Sequence, residues 1–315
     1  MTRDLNQRLV LRRAIEELHH KGQWARGRGD FLLRHDDIVA PILRTALRIA
    51  GLYGRGTANA LRPEVRHRRF AFPDLPEGFD GFRLLHLTDL HIDGVDGLAE
   101  IVAESLSALP VDLCVLTGDY RFHTKGPCEA VYSRMRTILG AVRSRHGIVG
   151  ILGNHDAAEM ALELEKQGVR MLINESVEVR DRGASLWILG VDDPHYFGCD
   201  DLDAALVNVP AGAFEVLLAH TPEMYEAAAG AGIRLYLCGH THGGQVCLPR
   251  IGAPLLNARC PRALARGAWQ HAGVQGYTSA GIGCSMLPVR YNCPPEIAVI
   301  ELGRAENHKT ADARR

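Results

Sequence analysis

The chain changes rhythm near residue 78. Beyond that point short apolar runs alternate with stretches of helical spacing. Phe82 to Thr88, Val111 to Thr117, Gly147 to Leu152, Phe214 to Ala219 and Ile233 to Cys238 are largely apolar at both parities, the pattern of strands buried on both faces. Between them Leu98 to Leu109, Glu129 to Val142, Ala157 to Gln167 and Pro222 to Ala229 carry helical spacing, and shorter β-rich segments lie around Val177 to Val179 and Leu186 to Val191. The alternation predicts an α/β domain over residues 79–303. Residues 1–78 read as a basic, mostly helical extension closing on the turn-forming Phe72-Pro73-Asp74-Leu75-Pro76-Glu77-Gly78. Gly243 to Gly276 reads as a loop-rich insertion and residues 304–315 as a polar tail.

Composition changes this picture little. With 315 residues, 46% hydrophobic and 23% charged, the chain can bury a large core. A net charge of −1 gives no electrostatic case for nucleic-acid binding. The charge is unevenly placed, however: residues 1–70 hold 15 Lys/Arg against 7 Asp/Glu, a net +8 that leaves −9 on the remainder. A basic arm can meet an anionic surface such as lipid headgroups. Ile38 to Leu52 is its most apolar stretch, broken by Arg44 and Arg48; it reads either as an interfacial helix or as a helix packed on its own domain. No run reaches the about 18–20 apolar residues of a spanning helix, and the polar start does not resemble a signal peptide. The eight cysteines include no CxxC pair and read as reduced thiols. A cytoplasmic protein, touching the inner membrane face at most peripherally, is the expectation.

The chemistry gathers at the strand ends. The first strand runs into Asp89-Leu90-His91, the second into Gly118-Asp119 and the third into Gly153-Asn154-His155-Asp156; the fourth meets His220 and the fifth Gly239-His240-Thr241-His242. Open α/β sheets form sites at the carboxyl ends of their strands. If the backbone stays extended, Asp89 and His91 share a face, as do His240 and His242. Each motif alone is weak, and a lone histidine such as His220 is commonly a core residue. The ordered set of five is strong. Mixed imidazole and carboxylate donors favour Mn, Fe or Zn over Mg, without choosing among the three. Two divalent ions about 3.5–4 Å apart need a bridging carboxylate, and Asp119 is the acidic residue of the middle motif.

This order of motifs (DxH, GD, GNHD, a lone H, GHxH) resembles the calcineurin-like metallophosphoesterase superfamily over about Phe82 to Leu302. Gly239 to Gln245, with Gly190 to Pro194, Leu287 to Arg290 and Pro294 to Ile297, is similar to a bacterial phosphodiesterase branch. Some members of that branch, and of a neighbouring one, cleave the pyrophosphate of UDP-diacylglucosamine. The resemblance implies a four-layer sandwich of two packed mixed β-sheets flanked by helices. It also implies two metal ions: Asp89, His91 and His242 would hold one, Asn154, His220 and His240 the other, with Asp119 shared. His155 would stabilise charge or protonate the leaving oxygen, oriented by Asp156. A metal-bound hydroxide would then cleave a phosphodiester or pyrophosphate bond, on a lipid-linked substrate if the basic arm meets membrane. The alternatives are a phosphomonoesterase and a catalytically inactive metal-binding scaffold.

Weaker candidates stand beside bland readings. Arg121 and His123 read as substrate contacts or a solvated loop, and His195 as a pocket residue or an ordinary loop residue. Arg290 reads as a phosphate clamp or a structural ion pair. His86, opposite in parity to Asp89 and His91, reads as a core histidine bonded to backbone, and Trp187 as core packing. The HxHxDH cluster of β-lactamase-like hydrolases is absent, and Gly118-Asp119-Tyr120-Arg121 departs from the GDxVDRG of protein serine/threonine phosphatases.

Overall fold

Strands apolar on both faces must be covered on both sides, and the chain meets that demand with two stacked sheets. The computed structural model describes residues 4–20 and 29–305; the expected tail, from residue 306 on, lies outside the described residues. In chain order the elements are α1 (Leu5–Arg8), α2 (Val10–His20), α3 (Gly29–Ile49), α4 (Tyr53–Ala60), β1 (Glu64–Phe72), β2 (Arg83–Leu87), α5 (Leu98–Ser107) and β3 (Leu113–Leu116). Then follow α6 (Glu129–Ala141), β4 (Ile148–Gly150), α7 (Ala158–Lys166), β5 (Val169–Met171), β6 (Glu175–Asp181), β7 (Ala184–Gly190), α8 (Leu202–Leu206) and β8 (Glu215–Leu218). The chain closes with α9 (Tyr225–Ala231), β9 (Leu235–Cys238), β10 (Gly267–His271), β11 (Val274–Thr278) and β12 (Glu296–Arg304).

One sheet has the order β1-β12-β2-β3-β4-β5, the other β10-β11-β9-β8-β7-β6, and both mix parallel and antiparallel pairs. Alternation along each strand assigns the layers. Leu84, Leu113, Val115 and Val149 of the first sheet face Ile188, Val216, Leu218, Leu235 and Leu237 of the second. Their neighbours Leu85, Leu87, Cys114 and Leu116 point the other way, onto α5, α6 and α7. On the far side Leu217, Tyr236 and Cys238 pack with Ala228 and Trp269. The expected four-layer sandwich of two mixed sheets is therefore what forms. Burial at about 25 cal/mol per Å² of apolar surface is its main support.

The structure departs from the sequence reading in several places. Glu64–Phe72, left in the helical extension by the sequence, is an edge strand running parallel to β12. It carries a basic run, Arg66 meeting Glu64 and Arg69 meeting Glu301, while Phe70 and Phe72 enter the core. Charge on an edge strand deters pairing with other chains, and here it hides the strand's period. The supposed insertion contains the hairpin β10–β11, and β12, not assigned from sequence, lies inside the first sheet between β1 and β2. The N-terminal helices are also docked on the body, Leu5 and Leu9 joining the core beneath α5 to α7. All eight cysteines are free thiols. Trp187 packs half-buried on the second sheet's outer cluster, in line with a packing role.

His86 is a core residue, but Nε2 meets the Thr117 hydroxyl at 2.8 Å, not backbone, and Nδ1 has no partner. Burial pushes its imidazole down to about 3. The folded protein keeps it neutral, whereas the unfolded chain takes up a proton below about pH 6.5. Stability present above that value is therefore lost as pH falls through it. His86→Leu should gain about 2 kcal/mol relative to wild type at pH 5, over and above its difference at pH 8. Chemical denaturation of both proteins at both pH values reads this. An equal difference at the two pH values would mean that folded His86 titrates normally.

Candidate metal centre

The strands stop before the motifs begin: β2 ends at Leu87, β3 at Leu116, β4 at Gly150, β8 at Leu218 and β9 at Cys238. The polar residues occupy tight turns beyond them. Asp89, His91, Asp119, His240 and His242 have φ of 48°, 37°, 58°, 69° and 50°. This left-handed region costs a non-glycine residue on the order of 1–3 kcal/mol and persists only where the surroundings enforce it. Enforcement comes from cross-turn bonds: Asp89 N–H donates to Gly118 O and His91 N–H to Asp119 O, both at 3.0 Å. Gly239 supplies closeness, since a Cβ there would stand 2.1 Å from Asp89 Oδ2.

These turns correct the extended-strand picture. Asp89 and His91 do converge, but through left-handed turns and not strand alternation. His240 and His242 separate: ligand atoms of Asp89, His91 and His242 lie within 4.8 Å of one another, and so, independently, do those of Asp119, His220 and His240. His91 Nε2 and His242 Nε2 are 3.2 Å apart; His220 Nε2 and His240 Nδ1 are 3.3 Å apart. Asp119 Oδ2 lies between the groups, 3.4 Å from His91 Nε2 and 3.3 Å from His220 Nε2. Asn154 Oδ1 is 3.0 Å from His220 Nε2. Several of these residues are held from behind. Nδ1–H of His91 points at the Arg121 carbonyl and that of His220 at the Thr117 carbonyl, both at 2.7 Å, leaving Nε2 of each to face the centre. Asp89 takes the His240 N–H and Asp119 the His155 N–H.

The electrostatics suit cations. Burial, reinforced by neighbouring imidazoles, pushes His91 down to about 3 and His240 and His242 well below their ordinary value, so all three keep lone pairs. Burial lifts Asp89 to about 6, against the pull of His220. Burial also opposes charge on Asp119 and His220, yet their attraction wins: Asp119 falls well below the carboxylate range and His220 rises to about 10. A proton on His220 balances the buried carboxylates, and a divalent cation held there would replace it and leave Nε2 of His220 a lone pair. The donor set therefore fits divalent metal ions.

The remaining candidates divide. His155 is half-buried, its ring centroid 4.7 Å from that of His91, and its Nδ1 bonds the Phe122 carbonyl at 2.7 Å. That carbonyl orients it. Asp156, expected to do so, instead accepts the backbone N–H groups of Asp119, Tyr120 and Gly153 at 2.7–2.8 Å, stapling two motif loops together. Arg121 donates to the carbonyls of His155 and Thr124 and lines the cavity beside Asn154 and His155. Arg290 is fully buried and donates to the carbonyls of Ala280, Gly281 and Gly283, so it is neither an ion pair nor free to clamp phosphate. His123 is exposed. His195 is buried 4.3 Å from the His240 ring and bonded to Glu223, beside the centre. A cavity of about 230 Å³ opens beside Asn154 and His155, with Glu16, His19, Tyr196 and Phe197 among its walls.

The sequence model of calcineurin-like phosphoesterases matches residues 82–244, which span all five strand-end motifs. The chain belongs to the calcineurin-like phosphoesterase family. It is thus a metal-dependent phosphoric ester hydrolase. It is 28% identical to the metallophosphoesterase YkuE of Bacillus subtilis (strain 168), over 79% of this chain and 90% of that one. It is likewise 28% identical to the phosphodiesterase YaeI of Escherichia coli (strain K12), over 82% and 96%. A Bos taurus transmembrane protein with a metallophosphoesterase domain is 30% identical over 85% of this chain, which spans 62% of that protein. Among the described residues no helix is long and apolar enough to cross a membrane. This phosphoesterase also uses residues that no motif announced. Thr117 and Phe122 act through carbonyls, Asp93 accepts the Phe122 N–H at 2.6 Å, and Arg12 arrives from the far end of the chain. A carbonyl leaves no trace in residue type, so only the folded geometry reveals such contacts.

Proposed function

We propose that this phosphoesterase is a dinuclear phosphodiesterase. Asp89, His91 and His242 would hold one divalent ion, Asn154, His220 and His240 a second, and Asp119 would bridge them. The observation carrying this reading is the position of Asp119 Oδ2, almost equidistant from His91 and His220. When bound, the ions would polarise the phosphoryl oxygens and supply a nucleophile near neutral pH. The protein's own contribution is placement. His155, with Nδ1–H held by Phe122, presents Nε2 to carry a proton to the leaving oxygen. The cavity beside His155 offers room for the group that leaves. A monoester also loses such a group, so the preference for a diester rests on the name of the Escherichia coli relative. With Mn²⁺ the protein should turn over bis-p-nitrophenyl phosphate at least about 10-fold better in kcat/KM than p-nitrophenyl phosphate. The reverse preference would favour a monoesterase. Inertness toward both with Mn²⁺, Fe²⁺ and Zn²⁺ would favour the metal-binding scaffold.

A lipid-linked phosphodiester or pyrophosphate is a second reading, favoured by exposed apolar residues. Helix α3 exposes Ile42 (62%) and Ile49 (84%) beside Arg44 and Arg48, and the loop approaching Asn257, near His240, exposes Ile251 (71%) and Leu255 (83%). Apolar side chains flanked by arginines suit an anionic interface. In the same assay series, vesicles containing phosphatidylserine should co-float with the protein, and Ile42→Asp/Ile49→Asp should abolish this while sparing hydrolysis of the soluble diester. No binding to such vesicles by the wild type would remove the lipid reading.

A further inference from the structure

We propose that Arg12 is a positioning residue for turnover, reaching from the N-terminal helix α2 to hold the loop that presents Asn154 and His155. The inference rests on the reading that those two residues act on the substrate or its metal ions. Arg12 is completely buried, a costly place for a charge unless every donor is used. Its Nη2 donates to the carbonyls of Gly153 and Asp156, both at 2.6 Å, and these carbonyls bracket Asn154 and His155. Nη1 donates to the Asp192 carboxylate, Nε faces Glu16 at 3.3 Å, and the guanidinium lies 4.1 Å from the Phe197 ring centre. Glu16 in turn accepts the Ala158 N–H at 2.8 Å, at the start of α7. Two side chains one helical turn apart on α2 thus grip both ends of the segment from Gly153 to Ala158.

The segment needs the grip. From Gly153 to Ala157 it lies between β4 and α7, outside any regular element, so no ladder of backbone bonds fixes it. Asp156 anchors it on the side of Asp119, and Arg12 anchors its outward carbonyls from behind. A guanidinium can serve two carbonyls and a carboxylate at fixed angles; an ammonium on a flexible stem cannot reproduce that fork. The same helix carries Glu16 and His19 to the wall of the cavity beside His155. The N-terminal segment is therefore a part of the active site's frame and not a detachable basic arm.

The test uses the full-length protein with saturating Mn²⁺ and bis-p-nitrophenyl phosphate, well below each variant's Tm. Arg12→Met should lower kcat by about 10- to 100-fold, with KM little changed, because a displacement on the order of 1 Å is enough to cost that much. Arg12→Lys should fall between it and the wild type. Arg12→Met leaves Asp192 unpaired, so Arg12→Met/Asp192→Asn supplies a neutral pair; the amide oxygen introduced there can still accept the Asp193 N–H that Asp192 now takes. That double variant should regain Tm without regaining kcat. Recovery of kcat together with Tm would reduce Arg12 to a structural residue and overturn the proposal, as would wild-type kcat in Arg12→Met. If Arg12→Met does not fold, Arg12→Lys and the double variant decide the matter by the same criteria. Asn154→Ala in the same assay separates the two levels of inference. Its loss of turnover beside a fully active Arg12 variant defeats only the role of Arg12, whereas its full activity defeats the reading beneath.

Discussion

His155→Ala is expected to reduce kcat on bis-p-nitrophenyl phosphate by about 10²–10⁴-fold while leaving metal content intact. The separation follows from geometry. His155 holds the Phe122 carbonyl through Nδ1 and sits beside His91, while the two ligand groups are complete without it. On the proposed role, its loss would remove a proton donor at the leaving oxygen, and with it transition-state stabilisation. KM should therefore change far less than kcat. A better leaving group needs less protonation, so the deficit should shrink on a dinitrophenyl ester relative to an alkyl ester. Equal loss on both esters would assign His155 to charge stabilisation in place of proton transfer. Loss of metal from His155→Ala would place it among the ligands, an arrangement its proximity to His91 and Asp119 also allows.

Asp119→Asn is expected to be more damaging still, because one substitution touches both ion positions. An amide oxygen is a poor bridge between two cations, and Asp119 Oδ2 is the oxygen that both histidine groups approach. Metal content should fall from about two ions per chain to about one or fewer, with hydrolysis lost in parallel. Asn154→Ala, which touches one position, should leave the other ion bound. Plasma emission analysis of both variants after identical loading reads the difference. An Asp119→Asn protein retaining both ions would remove the bridging role. The side chain is almost fully buried and its Oδ1 accepts the His155 N–H at 2.8 Å. The amide carbonyl can keep that bond, so circular dichroism and Tm should show the fold intact.

The donor set was legible in the sequence because metal chemistry restricts residue type. Carboxylates, imidazoles and a side-chain amide are among the few groups that serve, and here they recur at the ends of strands whose apolar runs announce themselves. The layers were legible for a similar reason, since strands such as Leu113–Leu116 have both faces apolar and must be covered on both. Elements whose period is masked were not. In β1 the basic run Arg66 to Arg69 lies at both parities of an edge strand and only Phe70 and Phe72 are buried, so its composition reads as an extension. In the hairpin β10–β11 the strands are short and glycine-bearing, and the segment reads as loop.

What the sequence determined by itself was which candidate ligands the chain carries and in what order they come. Residue type and strand-end position are local properties, and the family match rests on the same local order. What only the tertiary structure decided was how those residues are distributed in space. Extended alternation would have sent His240 and His242 to one ion; positive φ at both turns them to different groups. Bonds to carbonyls, which any residue could supply, orient His91, His155 and His220. Arg12 lies more than a hundred residues from the loop it holds, and no local pattern could announce that contact. Backbone turns and long-range contacts are enforced by the packed whole, and a linear reading has no access to them.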